Sequence, residues 1–302
     1  MLDRTYSMPR ITVPAHACDC HMHVFGPLHA YPPAARRTYT PVPAPLPAYL
    51  KMARTLGLER VVFVQPSAYG ADNRCLLDAM AQIGSAARGI IGLDETITDD
   101  ALLAMNACGV RGVRLNMASR GARDIKQAQQ MIRRVFGRVS PLGWHIQMFV
   151  DLDVVIGLTS VLRDLPIPFV FDHMALARAA FGTGQSGFRN LCDLLASGAC
   201  WVKLSGADRI SRNDRAEFED ALPIMRELIA ANPEQLVWGT DWPHTGKHGH
   251  AENSVPPPIE YRPLDTGRLL DLLAEAAPDQ VTLTEILVNN PARLYGYSHS
   301  VA

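Results

Sequence analysis

The chain lacks any apolar run approaching the roughly 20 residues that cross a bilayer. Its first residues, MLDRTYSMPRITVPAH, hold no apolar core of the kind a secretory signal needs. The expectation is a cytoplasmic protein that does not engage a membrane. Charge bias is also missing. Twenty-nine Lys and Arg stand against 30 Asp and Glu, for a net charge of −1, and no basic tract stands out. Nucleic acid and anionic lipid are therefore not expected partners. Cysteines are few. Cys18, Cys20, Cys75, Cys108, Cys192 and Cys200 sit in apolar surroundings without metal-finger spacing, which reads as reduced core residues rather than disulfides. There is no internal repeat, linker or low-complexity boundary.

What is present is an ordinary globular composition, 48% hydrophobic and 20% charged, over 302 residues. That length suits one large α/β barrel or two smaller domains. Short apolar runs predict strands over 17–25, 60–66, 88–95, 110–117, 145–151, 168–174, 200–206 and 236–244. Amphipathic stretches between them predict helices over 46–57, 73–86, 99–108, 125–142, 154–165, 187–197, 214–231 and 266–276. Thr98 with Asp99, and Asn213, mark helix starts, while Gly57, Gly109 and Gly143 mark ends. Eight strand–helix alternations are the count of a (β/α)8 TIM-like barrel, distorted, occupying residues 1–302 as a single domain. A doubly wound sheet gives no reason for the number eight. The proline-rich stretches 31–47 and 255–263 read as ordered loops over one end of the barrel.

Active sites of such barrels lie at the carboxyl ends of the strands, so the polar residues there can be collected from sequence. In the segment DCHMHVFG, residues 19–26, strand alternation places Asp19, His21 and His23 on one face and Cys20, Met22 and Val24 on the other. Two imidazoles so placed can grip one metal ion or one oxyanion. The second strand contributes Gln65 and the loop QPSAYGADN, whose Gly70, Asp72 and Asn73 also fit turn and cap chemistry. The fourth contributes Arg114, Asn116 and, just beyond, Arg120; the sixth ends Asp172-His173. Asp208, Arg209 and Arg212 follow the seventh, and the eighth ends Thr240-Asp241-Trp242-Pro243-His244. Three histidines and an aspartate thus converge, a set suited to a mononuclear metal site or a polarising pocket.

The combination of His21-x-His23, His173 and Asp241 in TDWPH resembles the amidohydrolase superfamily. More narrowly, DCHMHVFGP, RTYTP, QPSAYGADN, AMNACGVRGVRLN, LGWHI, FDHM, VWGTDWPH and NNPARLYG resemble lactonases of the 2-pyrone-4,6-dicarboxylate hydrolase type, from about residue 17 to 296. The resemblance implies that Asp241 is the general base for the attacking water, with His21, His23 and His173 polarising the scissile carbonyl directly or through a divalent ion. It implies that Arg114, Arg120 and Arg209 bind a carboxylate, with Tyr39 offering a hydroxyl, and hence that the partner is a small anionic substrate. His244 is open between supporting these groups and capping its loop.

Departures from that pattern are specific. The fifth strand, HIQMFVD, offers neither histidine nor lysine near its end, and the fourth ends Leu115-Asn116. A binuclear site therefore has no bridging ligand. Phe149 stands where the dicarboxylate lactonase carries a substrate-binding tyrosine, and residues 207–209 and 246–263 are unlike that enzyme. The expectation is a hydrolase opening a carboxylated lactone. Alternatives are a metal-dependent decarboxylase of an aromatic or unsaturated acid, a sugar-lactone isomerase, and a ligand-binding barrel without chemistry. The cofactor expected is none, or one weakly bound zinc or manganese on His21, His23, His173 and Asp241.

Overall fold

A computed structural model of the chain describes residues 6–117, 125–212, 217–246 and 256–298. Arg120 and the expected helix start at Asn213 lie outside the described residues. The order is β1 (Cys18–Met22), α1 (Leu46–Leu56), β2 (Arg60–Val64), α2 (Arg74–Ile83), β3 (Ala87–Ile91), α3 (Asp99–Ala107), β4 (Val110–Asn116), α4 (Ile125–Val139), β5 (His145–Phe149) and α5 (Leu152–Asp164). It continues β6 (Phe169–Phe171), α6 (Phe188–Ala196), β7 (Trp201–Lys203), α7 (Ala207–Ile210), α8 (Leu222–Ala231), β8 (Leu236–Val237), α9 (Thr266–Ala276), α10 (Gln280–Thr284) and α11 (Asn290–Tyr295). Local chemistry accounts for the boundaries. Thr98 accepts from Ala101 N at 3.2 Å to start α3, and Gly57, at φ 73°, ends α1 in the left-handed region.

The eight strands are parallel and follow chain order. Backbone bonds close the seam between the first strand and the chain around β8: Cys20 N to Trp238 O (2.9 Å), Asp241 N to His21 O (2.7 Å) and His23 N to Trp242 O (2.8 Å). The barrel is thus nearly closed, as expected for a distorted (β/α)8 fold. Alternate strand residues divide the apolar core. Val61, Phe63, Ile146, Met148, Phe169 and Phe171 belong to the larger cluster with the helices. Cys18, Cys20, Val62, Val64, Ile90, Val170 and Val237 form a smaller one with Tyr295 and Tyr297 from the end of α11 and beyond.

That division corrects one expectation. Cys20 belongs to the smaller cluster, and Asp19 instead bonds Tyr49 of α1 and Thr240. The register of β1 on β2 shifts between Asp19 and Met22. Such a bulge re-aims the side chains after it, and His21 thereby joins His23 at the site. The strands β6, β7 and β8 are also much shorter than expected, at 3, 3 and 2 residues. β6 stops at Phe171 because His173, Met174, Ala175 and Leu176 all adopt left-handed backbone, φ 50° to 54°. The proline-rich stretches do pair with one another: Thr40 bridges Pro258, and Ile259 N donates to Thr40 O at 2.9 Å. They lie at the carboxyl ends of the strands, where Phe25 bridges Ala44 and Thr245 bridges Tyr261.

Candidate active site

Asp241 lies at the centre. Its Oδ1 is 3.8 Å from His21 Nε2, 3.7 Å from His23 Nε2 and 3.8 Å from His173 Nε2. Its Oδ2 accepts from Arg209 Nε at 2.6 Å, with Arg209 Nη2 at 2.5 Å. Arg209 Nη2 also donates to Thr245 Oγ1 at 3.1 Å. One carboxylate oxygen is therefore anchored and the other turned toward three imidazoles. Burial raises the Asp241 carboxyl above its ordinary range, and the Arg209 charge offsets only part of that.

The imidazoles are neutral. Burial holds His21 and His173 well below the usual histidine value, reinforced by Lys203 for His21 and by the His21 ring and Arg209 for His173. Burial, with the Arg114 charge, lowers His23 to about 3. A partner on the far nitrogen of His23 fixes where its proton sits. His23 Nδ1 lies 2.7 Å from Val64 O, which can only accept, so Nδ1 carries the proton and Nε2 a lone pair. His21 Nδ1 lies 3.1 Å from Asp172 Oδ1 without forming a hydrogen bond to it. His173 Nδ1 is 2.9 Å from Ser205 Oγ, which can donate or accept. The His23 lone pair therefore faces a carboxylate oxygen. Among the described residues, neither nitrogen of His21 nor Asp241 Oδ1 has a hydrogen-bond partner. Ligand atoms of His21, His173 and Asp241 lie within 4.8 Å of one another, so these residues fit a single cation.

Above this floor a small, partly open cleft is walled by Tyr39, Ser67, Arg114, Asn116, Phe149 and Thr245. Arg114 donates from Nε to Asp172 Oδ2 (3.2 Å) and from Nη1 to Gln65 O (3.2 Å), and its guanidinium lies 5.7 Å from the Phe149 ring centre. Tyr39 is buried with its hydroxyl bonded to Ser67, and burial pushes the phenol up to about 12, so it stays a neutral donor. His244 Nε2 lies 3.0 Å from Thr266 Oγ1 and ties the turn to α9. Two glycines leave room for the histidines: a Cβ at Gly206 would meet His173 Nδ1 at 2.8 Å, and one at Gly239 would meet His21 N at 2.5 Å. A larger open cavity, lined by residues such as Pro166, Trp201 and Gln235, lies at the opposite end of the barrel, far from this chemistry.

The sequence reading passed over several residues that complete the site. Ser67, Ser205 and Thr245 are small hydroxyls without a spacing signal. Lys203 is different: it is a charge inside the apolar run CWVKL, fully buried, donating to Cys20 O and Gln147 Oε1, both at 2.7 Å. A lysine on an otherwise apolar strand was the signal that could have found it.

The chain resembles known proteins over nearly its whole length. The family model described as Amidohydrolase matches residues 18–297. The 4-sulfomuconolactone hydrolase of Rhizobium radiobacter is 36% identical over 287 residues, 94% of this chain and 91% of that protein. The 2-pyrone-4,6-dicarboxylate hydrolase of Comamonas testosteroni is 31% identical over 297 residues, 96% and 93% of the two chains. A ligand-free crystal structure of an Agrobacterium tumefaciens protein superposes with a TM-score of 0.79 at 28% identity, covering 96% of this chain and 99% of that one.

Proposed function

The chain belongs to the amidohydrolase family, and we propose that it hydrolyses a lactone bearing an anionic substituent, through a water activated by Asp241. The observation that carries this reading is the split role of the Asp241 carboxylate. Oδ2 is pinned by Arg209 while Oδ1 faces the three imidazoles beneath a cleft walled by Arg114. Oδ1 takes a proton from water, and the hydroxide adds to the lactone carbonyl, whose oxygen becomes an oxyanion. Collapse breaks the ring carbon–oxygen bond, and the leaving oxygen recovers the proton from Asp241. Lactone and one water give one hydroxy acid. Arg114 receives the anionic group, with Tyr39 donating alongside; Arg209 contributes charge there while holding Asp241. A carboxylate or a sulfonate, the groups named in the two lactone hydrolases above, fits that set. The decarboxylase and isomerase readings have less support, since both of those relatives open lactones.

His21, His23, His173 and Asp241 would hold at most one divalent ion, such as zinc or manganese, which supplies Lewis-acid polarisation of the carbonyl when bound. Asn116 and Phe149, at the ends of β4 and β5, provide no bridge to a second. Arg114, Arg209 and Lys203 crowd the same region with positive charge, which weakens cation affinity. Without an ion, stabilisation of the oxyanion falls to His21 and His173, because the His23 nitrogen that faces Asp241 carries a lone pair rather than a proton.

Asp241→Asn should lower kcat by about 10²- to 10⁴-fold on a panel of carboxylated and sulfonated lactones, with calorimetric binding of the lactone retained. Wild-type turnover in this variant would remove Asp241 as the base. Elemental analysis after chelation should find no more than one equivalent of zinc or manganese; two that survive the chelator would overturn the mononuclear reading.

A further inference from the structure

The segment that precedes β1 reaches across to the turn that carries Asp241. Tyr6 is buried there, and its hydroxyl accepts from the indole Nε1 of Trp242 at 3.1 Å. Trp242, fully buried, directly follows Asp241. We propose that Tyr6 is a positioning residue for the reaction: by holding the Trp242 ring it fixes the peptide after Asp241, and with it the aim of that carboxylate. This rests on the reading of Asp241 as the base of a lactone-opening reaction.

Two sets of contacts meet at Trp242. Its backbone is pinned to the barrel seam, with His23 N donating to Trp242 O at 2.8 Å and Trp242 N donating to Thr240 Oγ1 at 3.0 Å. Its ring stands edge-on to Tyr49, ring centres 5.6 Å apart, and Tyr6 takes the indole N–H. An indole N–H can only donate, and a buried donor without an acceptor is costly, so the ring settles where Tyr6 can accept from it. The place of Tyr6 is set in turn by α9. Ser7 donates from N to Asp265 Oδ1 (3.1 Å) and from Oγ to Asp265 Oδ2 (2.6 Å), and Arg10 N donates to Asp271 Oδ1 (2.7 Å). A Cβ at Gly267 would collide with Ser7 O, so the segment lies flush on the first turn of the helix. That same turn meets His244 through Thr266 Oγ1. The Asp241 turn is thereby referred to one platform from both sides, His244 directly and Trp242 through Tyr6. Asp241 needs the support, because its left-handed backbone persists only where surroundings hold it. Neither Tyr6 nor Trp242 lines the cleft, so loss of the Tyr6 hydroxyl should act on the chemical step and spare substrate binding.

The test is selective ¹⁵N-tryptophan labelling, in which each of the four tryptophans gives an indole and a backbone signal; those of Trp242 are assigned by difference against Trp242→Phe. In wild-type protein the Trp242 indole N–H should be protected from hydrogen exchange. Tyr6→Phe, which removes only the acceptor, should shift both Trp242 signals and leave those of Trp144, Trp201 and Trp238 in place. It should lower kcat on the best lactone of the panel about 3- to 10-fold, with KM changed by less than about twofold. A freely exchanging Trp242 indole in the wild type would overturn the proposal, and that measurement does not depend on a variant folding. So would a folded Tyr6→Phe whose Trp242 backbone signal stays put, whose kcat is unchanged, or whose loss falls on KM alone. Should wild-type protein open no lactone, the proposed reaction falls, and the Trp242 backbone signal of Tyr6→Phe alone decides the positioning role.

Discussion

Asp241 and His173 both occupy left-handed backbone, φ 57° and 52°, a conformation that costs a non-glycine residue about 1–2 kcal/mol. Such strain at functional residues is tolerated when surroundings fix it; here Asp241 N is tied to His21 O at 2.7 Å. The residue's titration follows from its burial. As the proposed base it must be ionised, and its carboxyl lies above the usual 3.8, so kcat should fall as pH drops through a point above that value. The groups around it do not add a second limb. Contact with Asp241 holds the Arg209 guanidinium in its charged form, and burial keeps the three imidazoles well below the ordinary 6.5. A pH–rate profile with an inflection at that histidine value would contradict this. Gly239 gives a test by space alone. Gly239→Ala drives a methyl against the His21 backbone, and a displacement near 1 Å there should cost about 10²-fold in kcat, with an unchanged circular dichroism spectrum.

Among the elements, the junction of β1 with the chain after β8 is held by side chains as well as backbone. Thr240 Oγ1 donates to Asp19 Oδ2 at 2.7 Å and Thr240 N to Asp19 Oδ1 at 2.9 Å, with Tyr49 OH adding 3.1 Å. Thr240→Val leaves a buried carboxylate short of a partner and should cost about 1–3 kcal/mol of stability, measured by denaturant unfolding. Element boundaries are also where the sequence was least legible. The alternation of DCHMH described a regular strand, whereas one register shift moved Asp19 away from the histidines and Cys20 in among the interior residues. Four consecutive left-handed residues without a glycine, 173–176, have no local signature. The convergence of His21, His23, His173 and Asp241 was legible, since it needs only strand order. The partners of the His23 and His173 rings were not, since Val64 O and Ser205 come from other elements.

For the molecule as a whole, the count of eight was readable because a parallel strand can reach the next only through a crossover, so each apolar run is followed by a helix-length segment. No helix among the described residues is long and apolar enough to cross a membrane. With a net charge of −1, the surface supplies no long-range attraction for an anionic lactone, and the attracting charges are the enclosed Arg114 and Arg209. Raising ionic strength from about 0.05 to 0.5 M should therefore change kcat/KM by less than about threefold; a steep fall in stopped-flow or steady-state rates would indicate surface steering instead. The closed seam bears on time as well as space. His21 and His23 are made early on the ribosome and Asp241 only after some 200 further residues, so the catalyst cannot exist in any partial product of synthesis. In refolding, helical signal should return before activity, because turnover must wait until the two ends of the ring have met.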